Sequence, residues 1–446
     1  MEEIVRRPRV LQLKKGMTFY LKMCLFLTLI FVKNVFDVPI PVSLFLVLGG
    51  AIALTGTRED IIILGVCCLP LSTAFQYKYL LLLCIVIYYF KYPKDIKLGK
   101  GMLPLILIML WELAHALLYN FSMVEYLRSF SELIFCTFLM MSSYRKVNAE
   151  HLYRMFAICT ITMAAIVLLK QLQLTDYDFE LVFRYGYRLG ISEEGAENFG
   201  INFNANGLGY ICNLGIAGLL HLSILNKQKK TDYIMMFALL FIGAMTMSRA
   251  FLVCLATLFF VFIWARTKDV SGRFKTFALV FGALLFAYYV IQLFAPVVLE
   301  HFMERFTEGD VSNGRIDLFR YYNQHIFSTA EYTFFGIGVQ DMGNRLKDIY
   351  GITKYGGNVL HNGIQEIVVA WGLPGLAMFV YFLYEMIRSA KQKQIKMTFS
   401  NYIPLLLALL NAQFGQLVTS GIALLGFSFI FMSMCVNFGG EENELS

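Results

Sequence analysis

Two pairs of ionisable residues sit at helical spacing inside otherwise apolar runs. Glu112 and His115 lie three apart, Arg128 and Glu132 four apart, so on continuous helices each pair shares one face. Arg249 opens another apolar run in Thr246-Met247-Ser248-Arg249, His361, Gln365 and Glu366 open a third, and Gln413 and Gln416 lie late in a fourth. Ionisable groups at membrane depth are costly and mark function. Between the runs lie further arginines: Arg184, Arg188, Arg305, Arg315, Arg320 and Arg345. A guanidinium is always charged and offers a planar donor fork that fits phosphate. Arginines gathered over intramembrane polar groups imply an anionic ligand with a lipid part. A polyprenyl diphosphate fits that description, and so do ordinary anionic headgroups.

The elements that must position these residues are transmembrane helices. Of 446 residues, 58% are hydrophobic and 15% charged, where a soluble domain carries about 25% charged residues. The net charge of +7 does not indicate nucleic acid, because the lysines and arginines lie between apolar runs rather than on one domain. All nine cysteines fall within apolar runs with no CxxC, as small hydrophobes and not a disulfide or metal framework. The first run follows Arg6, Arg7, Arg9, Lys14 and Lys15 without a small-residue cleavage site, which predicts an uncleaved first spanning helix.

Hydropathy predicts an all-α polytopic protein of about 12–14 transmembrane helices. Expected spans include 60–75, which is short, and 125–143, 361–387 and 401–419. Basic residues recur in alternate connections: Lys91/Lys94/Lys97/Lys100, Arg145/Lys146, Lys227/Lys229/Lys230, Arg266/Lys268/Arg273/Lys275 and Arg388/Lys391/Lys393/Lys396. The positive-inside rule then predicts a multi-pass protein of the cytoplasmic membrane with both termini cytoplasmic. The chain divides into an N-terminal bundle (1–171), a first outer loop (172–203), central helices (204–295), a large extracytoplasmic loop (296–360) and C-terminal helices with a short inner tail (361–446). Long loops in a compact protein are functional or disordered, and the frequent Tyr, Phe and Ile of 296–360 argue against disorder. The intramembrane polar groups crowd the outer leaflet. That favours an outward-facing cavity over a through-channel, the alternative being side chains that snorkel to the headgroups.

Several stretches then resemble one family. Arg188-Leu189-Gly190, followed by Asn204-Ala205-Asn206-Gly207-Leu208-Gly209, resembles the R-L-x-G … N-P-N-x-x-G element of the O-antigen ligase and polymerase family, with alanine in place of proline. Met247-Ser248-Arg249-Ala250 is similar to its S-R-(G)-A element, and Asn313-Gly314-Arg315-Ile316-Asp317-Leu318-Phe319 to its S-G-R-x-x-x-W/F element. Phe335-Gly336-Ile337-Gly338 resembles its F-G-x-G turn. His361-Asn362 and Trp371-Gly372-Leu373-Pro374-Gly375-Leu376 resemble H-N … x-G-L-x-G-L. The resemblance covers about 185–385, and the six preceding helices match in character only.

That resemblance implies a lipid-donor, GT-C-like membrane glycosyltransferase acting on glycans carried by undecaprenyl diphosphate, without metal or other cofactor. Donor and acceptor would both be lipid-linked, and a chain-length regulator and a flippase would be pathway partners; no nucleic acid is involved. The degraded motifs favour a polymerase of repeat units (O-antigen, capsule or exopolysaccharide) over a ligase that transfers glycan to lipid A core. Arg249, Arg315 and His361 are the expected catalytic residues. Arginines suit the charge that grows on a departing diphosphate, and an imidazole suits removal of the acceptor proton. Arg188, Asn206, Arg320, Asn362, Glu112 and His115 are expected to bind substrate. Asp176-Tyr177-Asp178 is a DxD pair of the kind that holds a divalent metal, but so short a pattern recurs by chance. The rival readings are a lipid-linked oligosaccharide flippase and a scaffolding membrane protein. A flippase would place its site near the midplane.

Overall fold

Each apolar run expected from hydropathy contains a helix, but several runs are broken. The computed structural model describes residues 9–178 except 98, 119–121 and 145–147; 189–190; 204–294 except 268; isolated positions from 296 to 303; 315–346 except 341, 343 and 344; and 360–436 except 394–398 and 419. In chain order the helices are α1 (Arg9–Val35), α2 (Val42–Thr55), α3 (Arg58–Cys67), α4 (Tyr77–Lys91), α5 (Leu103–Leu118), α6 (Met123–Ser129), α7 (Ser131–Met141) and α8 (Ala149–Leu174). They continue with α9 (Ala205–Ile224), α10 (Lys230–Met245), α11 (Arg249–Arg266), α12 (Val270–Phe294), α13 (Arg315–Ile326), α14 (Ala330–Phe334), α15 (Gly363–Lys393), α16 (Ile403–Asn411) and α17 (Gly421–Met434). No strand occurs among the described residues. Among the described residues, six helices are long and apolar enough to cross a membrane, namely α1, α5 with the turn before it, α8, α9, α11 and α15. The chain is an all-α, multi-pass membrane protein.

The glycine-rich helix α9 is central. It packs on α8, α10, α11, α16 and α17, and 89% of its apolar window is buried, against 33% for α11. Without water to drive association, membrane helices pack where small residues let backbones approach. Gly215 and Gly218 of α9 accordingly lie against Leu239 and Tyr153.

The contacts sort the helix ends into two sets. At one end, which we term the basic end, Arg58 pairs with Asp95 (2.8 Å) and Arg154 with Asp232 (2.7 Å). Lys91 Nζ donates to the carbonyls of Leu54 and Gly56, and Lys393 Nζ to that of Leu139. Asn148 N donates to Glu59 there. The opposite end joins α1 to α8, through Lys170 and Asp37 (2.6 Å) and through Gln173 Nε2 and the Val35 carbonyl. The alternation of basic connections is thus an alternation of helix ends in space.

The expected spans fail in an informative way. The 60–75 segment is helical only as far as Cys67 and then turns. The 125–143 segment breaks at Phe130 into α6 and α7, so Arg128 and Glu132 belong to different helices and the shared-face argument does not hold for them. The 401–419 segment is helical only to Asn411. All three breaks leave backbone short of the end opposite the basic one.

Candidate functional site

The break in α15 explains why two of the motifs exist. Pro374 has no N–H, so the Ala370 carbonyl four residues back lacks its helical donor. Gly372 takes φ 68° and ψ −172° and opens the helix further. The Phe335–Gly338 turn supplies the missing donors: Ile337 N reaches the Val369 carbonyl (2.9 Å) and Gly338 N the Ala370 carbonyl (2.7 Å). Trp111 Nε1 of α5 takes the Trp371 carbonyl at 3.0 Å. A Cβ on Gly372 would lie 2.4 Å from the Phe334 carbonyl oxygen, and one on Gly336 2.5 Å from that of Ala370. Both glycines have positive φ, so both the space and the backbone demand glycine. Phe-Gly-Ile-Gly and Trp-Gly-Leu-Pro-Gly are the two halves of one backbone junction.

Glu112 and His115 lock that junction from α5. Both are fully buried. Glu112 Oε1 accepts from Val339 N (2.9 Å) and Oε2 from Trp371 Nε1 (2.8 Å). His115 Nε2 lies 3.0 Å from the Phe335 carbonyl and Nδ1 2.9 Å from that of Trp111. Arg345, 9% exposed, donates to the carbonyls of Ile337 and Gln340. These three were read as ligand-facing; the structure turns them onto protein groups. Trp111 escaped the sequence reading although it lies one turn before His115, and Trp371 was read there only as part of a motif, without its bond to Glu112.

His361 and Asn362 immediately precede α15 and are half-buried. Asn362 Oδ1 accepts from Ile364 N (3.1 Å) and Gln365 N (3.0 Å), which caps the helix, while its Nδ2 donates to Gln413 Oε1 (3.2 Å). Gln365 Nε2 donates to the Phe319 carbonyl (2.8 Å) and Asn323 Oδ1 (3.0 Å), tying α13 to the start of α15. Buried Glu366 accepts from Leu417 N and from Val418 N (2.8 Å). It therefore satisfies the non-helical backbone between α16 and α17, which membrane interiors tolerate only where protein covers it.

A second group of motifs meets at the start of α9. Leu189 N donates to the Met245 carbonyl (2.9 Å), and a Cβ on Gly190 would touch the Ala205 backbone. Asn204 caps α9 through Asn206 N (2.8 Å). Ser248 caps α11 through Phe251 N (3.3 Å) and donates its hydroxyl to Asn206 Oδ1 (2.9 Å). Arg249, half-buried, is the first residue of α11 and is held at this crossing. The two groups are linked through the α16–α17 connection: Glu366 holds Leu417 and Val418, and Ile422 at the start of α17 lies against Gly207.

Arg320 is exposed on α13, 3.7 Å from exposed Asp317. Arg315 opens α13, but its side chain and the whole of Arg188 lie outside the described residues, as does the Arg128 side chain. Asp176 and Tyr177 form a positive-φ turn after α8, and among the described residues no three His, Cys, Asp or Glu gather as a metal site.

No curated protein matches the chain. Residues 234–380, from α10 through the junction in α15, match the O-antigen ligase (Wzy_C) family. The match supports an O-antigen ligase and polymerase family assignment for this segment, a family of membrane glycosyltransferase-like enzymes.

Proposed function

We propose that the protein polymerises undecaprenyl-diphosphate-linked oligosaccharide repeat units on the outer face of the cytoplasmic membrane, with the basic end cytoplasmic. The reading rests on the described motif residues, which lie at the end opposite the lysine-rich connections, together with the family match over residues 234–380. An acceptor sugar hydroxyl attacks the anomeric carbon of the donor glycan. The new C–O bond forms as the bond from that carbon to the diphosphate oxygen breaks. Charge collects on the departing diphosphate, where Arg249 and Arg315 would stabilise it, with Arg188 and Arg320 on the flanking phosphate or sugar. His361, next to the cap residue Asn362, would take the acceptor proton, and Asn206 would orient the donor through its link to Ser248. Glu112 and His115 serve this site by holding the junction.

The test uses membranes that contain the protein and a purified undecaprenyl-diphosphate repeat unit. A glycan ladder is expected. Transfer to lipid A core without a ladder would make the protein a ligase. Movement of the lipid-linked unit across the bilayer with no new glycosidic bond would contradict a transferase of either kind.

A further inference from the structure

A cavity of about 360 Å³ lies at the basic end, far from the motifs, between the connection 97–101, the end of α7 and the end of α15. Its walls carry Lys97, Lys100, Arg388 and Lys393 against the carboxylate of Glu385. Glu385 is 3% exposed and bound to Arg388 at 3.0 Å, so it offsets one of the four positive charges. Lys393 is spent on the carbonyls that end α7, including that of Leu139 at 2.8 Å. Lys97 and Lys100 are exposed, and among the described residues neither has an ion-pair partner. Gly101 keeps the floor low, since a Cβ there would come within 3.3 Å of Met140 Cε and 3.7 Å of Ser389 Oγ. A basic, hydroxyl-lined hollow of this size holds one phosphate ester with its glycerol or sugar. Just beyond it, Leu103 and Ile106 on α5 are 47% and 41% exposed, an apolar strip where an acyl chain can lie.

We propose that this cavity is a binding site for a phosphate group, carried by the headgroup of an anionic lipid in the leaflet at the basic end. Basic hollows between membrane helices select such headgroups, and each lysine contributes about fivefold in affinity. The site is independent of the proposed reaction, so its failure would leave that reading untouched.

The full-length protein in detergent is titrated with dioleoyl phosphatidylglycerol or dioleoyl phosphatidylcholine, and bound lipid is counted by native mass spectrometry. Phosphatidylglycerol should bind preferentially, and the double variant Lys97→Gln/Lys100→Gln should weaken it about thirtyfold, while Lys227→Gln/Lys230→Gln, an equal charge loss elsewhere at this end, leaves it unchanged. The size-exclusion profile verifies that both variants fold. Millimolar inorganic phosphate separates the sources: persistence of the lipid supports the headgroup, and displacement with the same lysine dependence supports free phosphate at the same site. Equal binding by wild type and the Lys97/Lys100 variant, or an equal loss in the Lys227/Lys230 variant, would overturn the proposal.

Discussion

Carboxylates at the basic end and in the motif region are held by different donors, although each end has exceptions. Lys170–Asp37 and Lys78–Glu132 are ion pairs opposite the basic end, and Asn148 N donates to Glu59 at the basic end. At the basic end, acids meet cations: Arg154 spans Asp232 at 2.7 Å and Glu150 at 2.5 Å, and Arg58 meets Asp95 at 2.8 Å. At the other end, buried Glu112 and Glu366 take N–H groups from irregular backbone and from an indole. The Arg154 pair fastens α8 to α10. Neutral donors are used where helices break early and bare backbone must be covered. The end that is harder to build is the one where the family motifs lie.

Breaking each kind of fastening separates the two ends. Arg154→Ala leaves Asp232 buried beside unmatched charge and should cost about 3–5 kcal/mol, read as a lower thermal midpoint in detergent that Arg154→Lys restores only in part. Glu366→Ala strands the Leu417 and Val418 amides and should cost about 2–4 kcal/mol, with a loss that does not change with added salt. Glu112→Gln keeps one acceptor oxygen but sets an amide N–H against either Val339 N or Trp371 Nε1. A cost of about 1–2 kcal/mol is expected, with reduced activity and insertion retained. A smaller effect distinguishes the basic end by pH. Burial raises Glu59 to about 7, so its fold prefers the protonated carboxyl. Its stability contribution is complete below the unfolded value near 4.5 and fades as pH rises through about 7. Wild type should therefore lose a few degrees of thermal midpoint between about pH 5 and pH 8, and Glu59→Gln should flatten that slope.

The helices were legible because apolar runs report lipid contact directly. Alternating lysines and arginines reported which ends lie together, since each basic connection returns to the same face. The breaks at Phe130, Cys67 and Gly372 were not legible from hydropathy, because a run of apolar side chains reads alike whether its backbone is helical or turned. One of them was nonetheless written in the residues. Pro374 removes a donor, and a Phe-Gly-Ile-Gly turn can present consecutive N–H groups, so the two motifs complement each other before any coordinates exist. Glu112 and His115 were read as cavity-lining because charge at depth suggests a ligand. The same charge can serve buried backbone, and only the packing of Val339 and Trp371 against α5 distinguishes the two uses.

The most direct test of the central claim is single-turnover glycan transfer by the purified protein, comparing wild type with Arg249→Ala and Arg315→Ala at matched insertion and thermal midpoint. Loss of about 100-fold or more in the chemical step for each variant, with lipid-linked donor still bound, is what an arginine-stabilised diphosphate predicts. Unchanged turnover in both variants would contradict it.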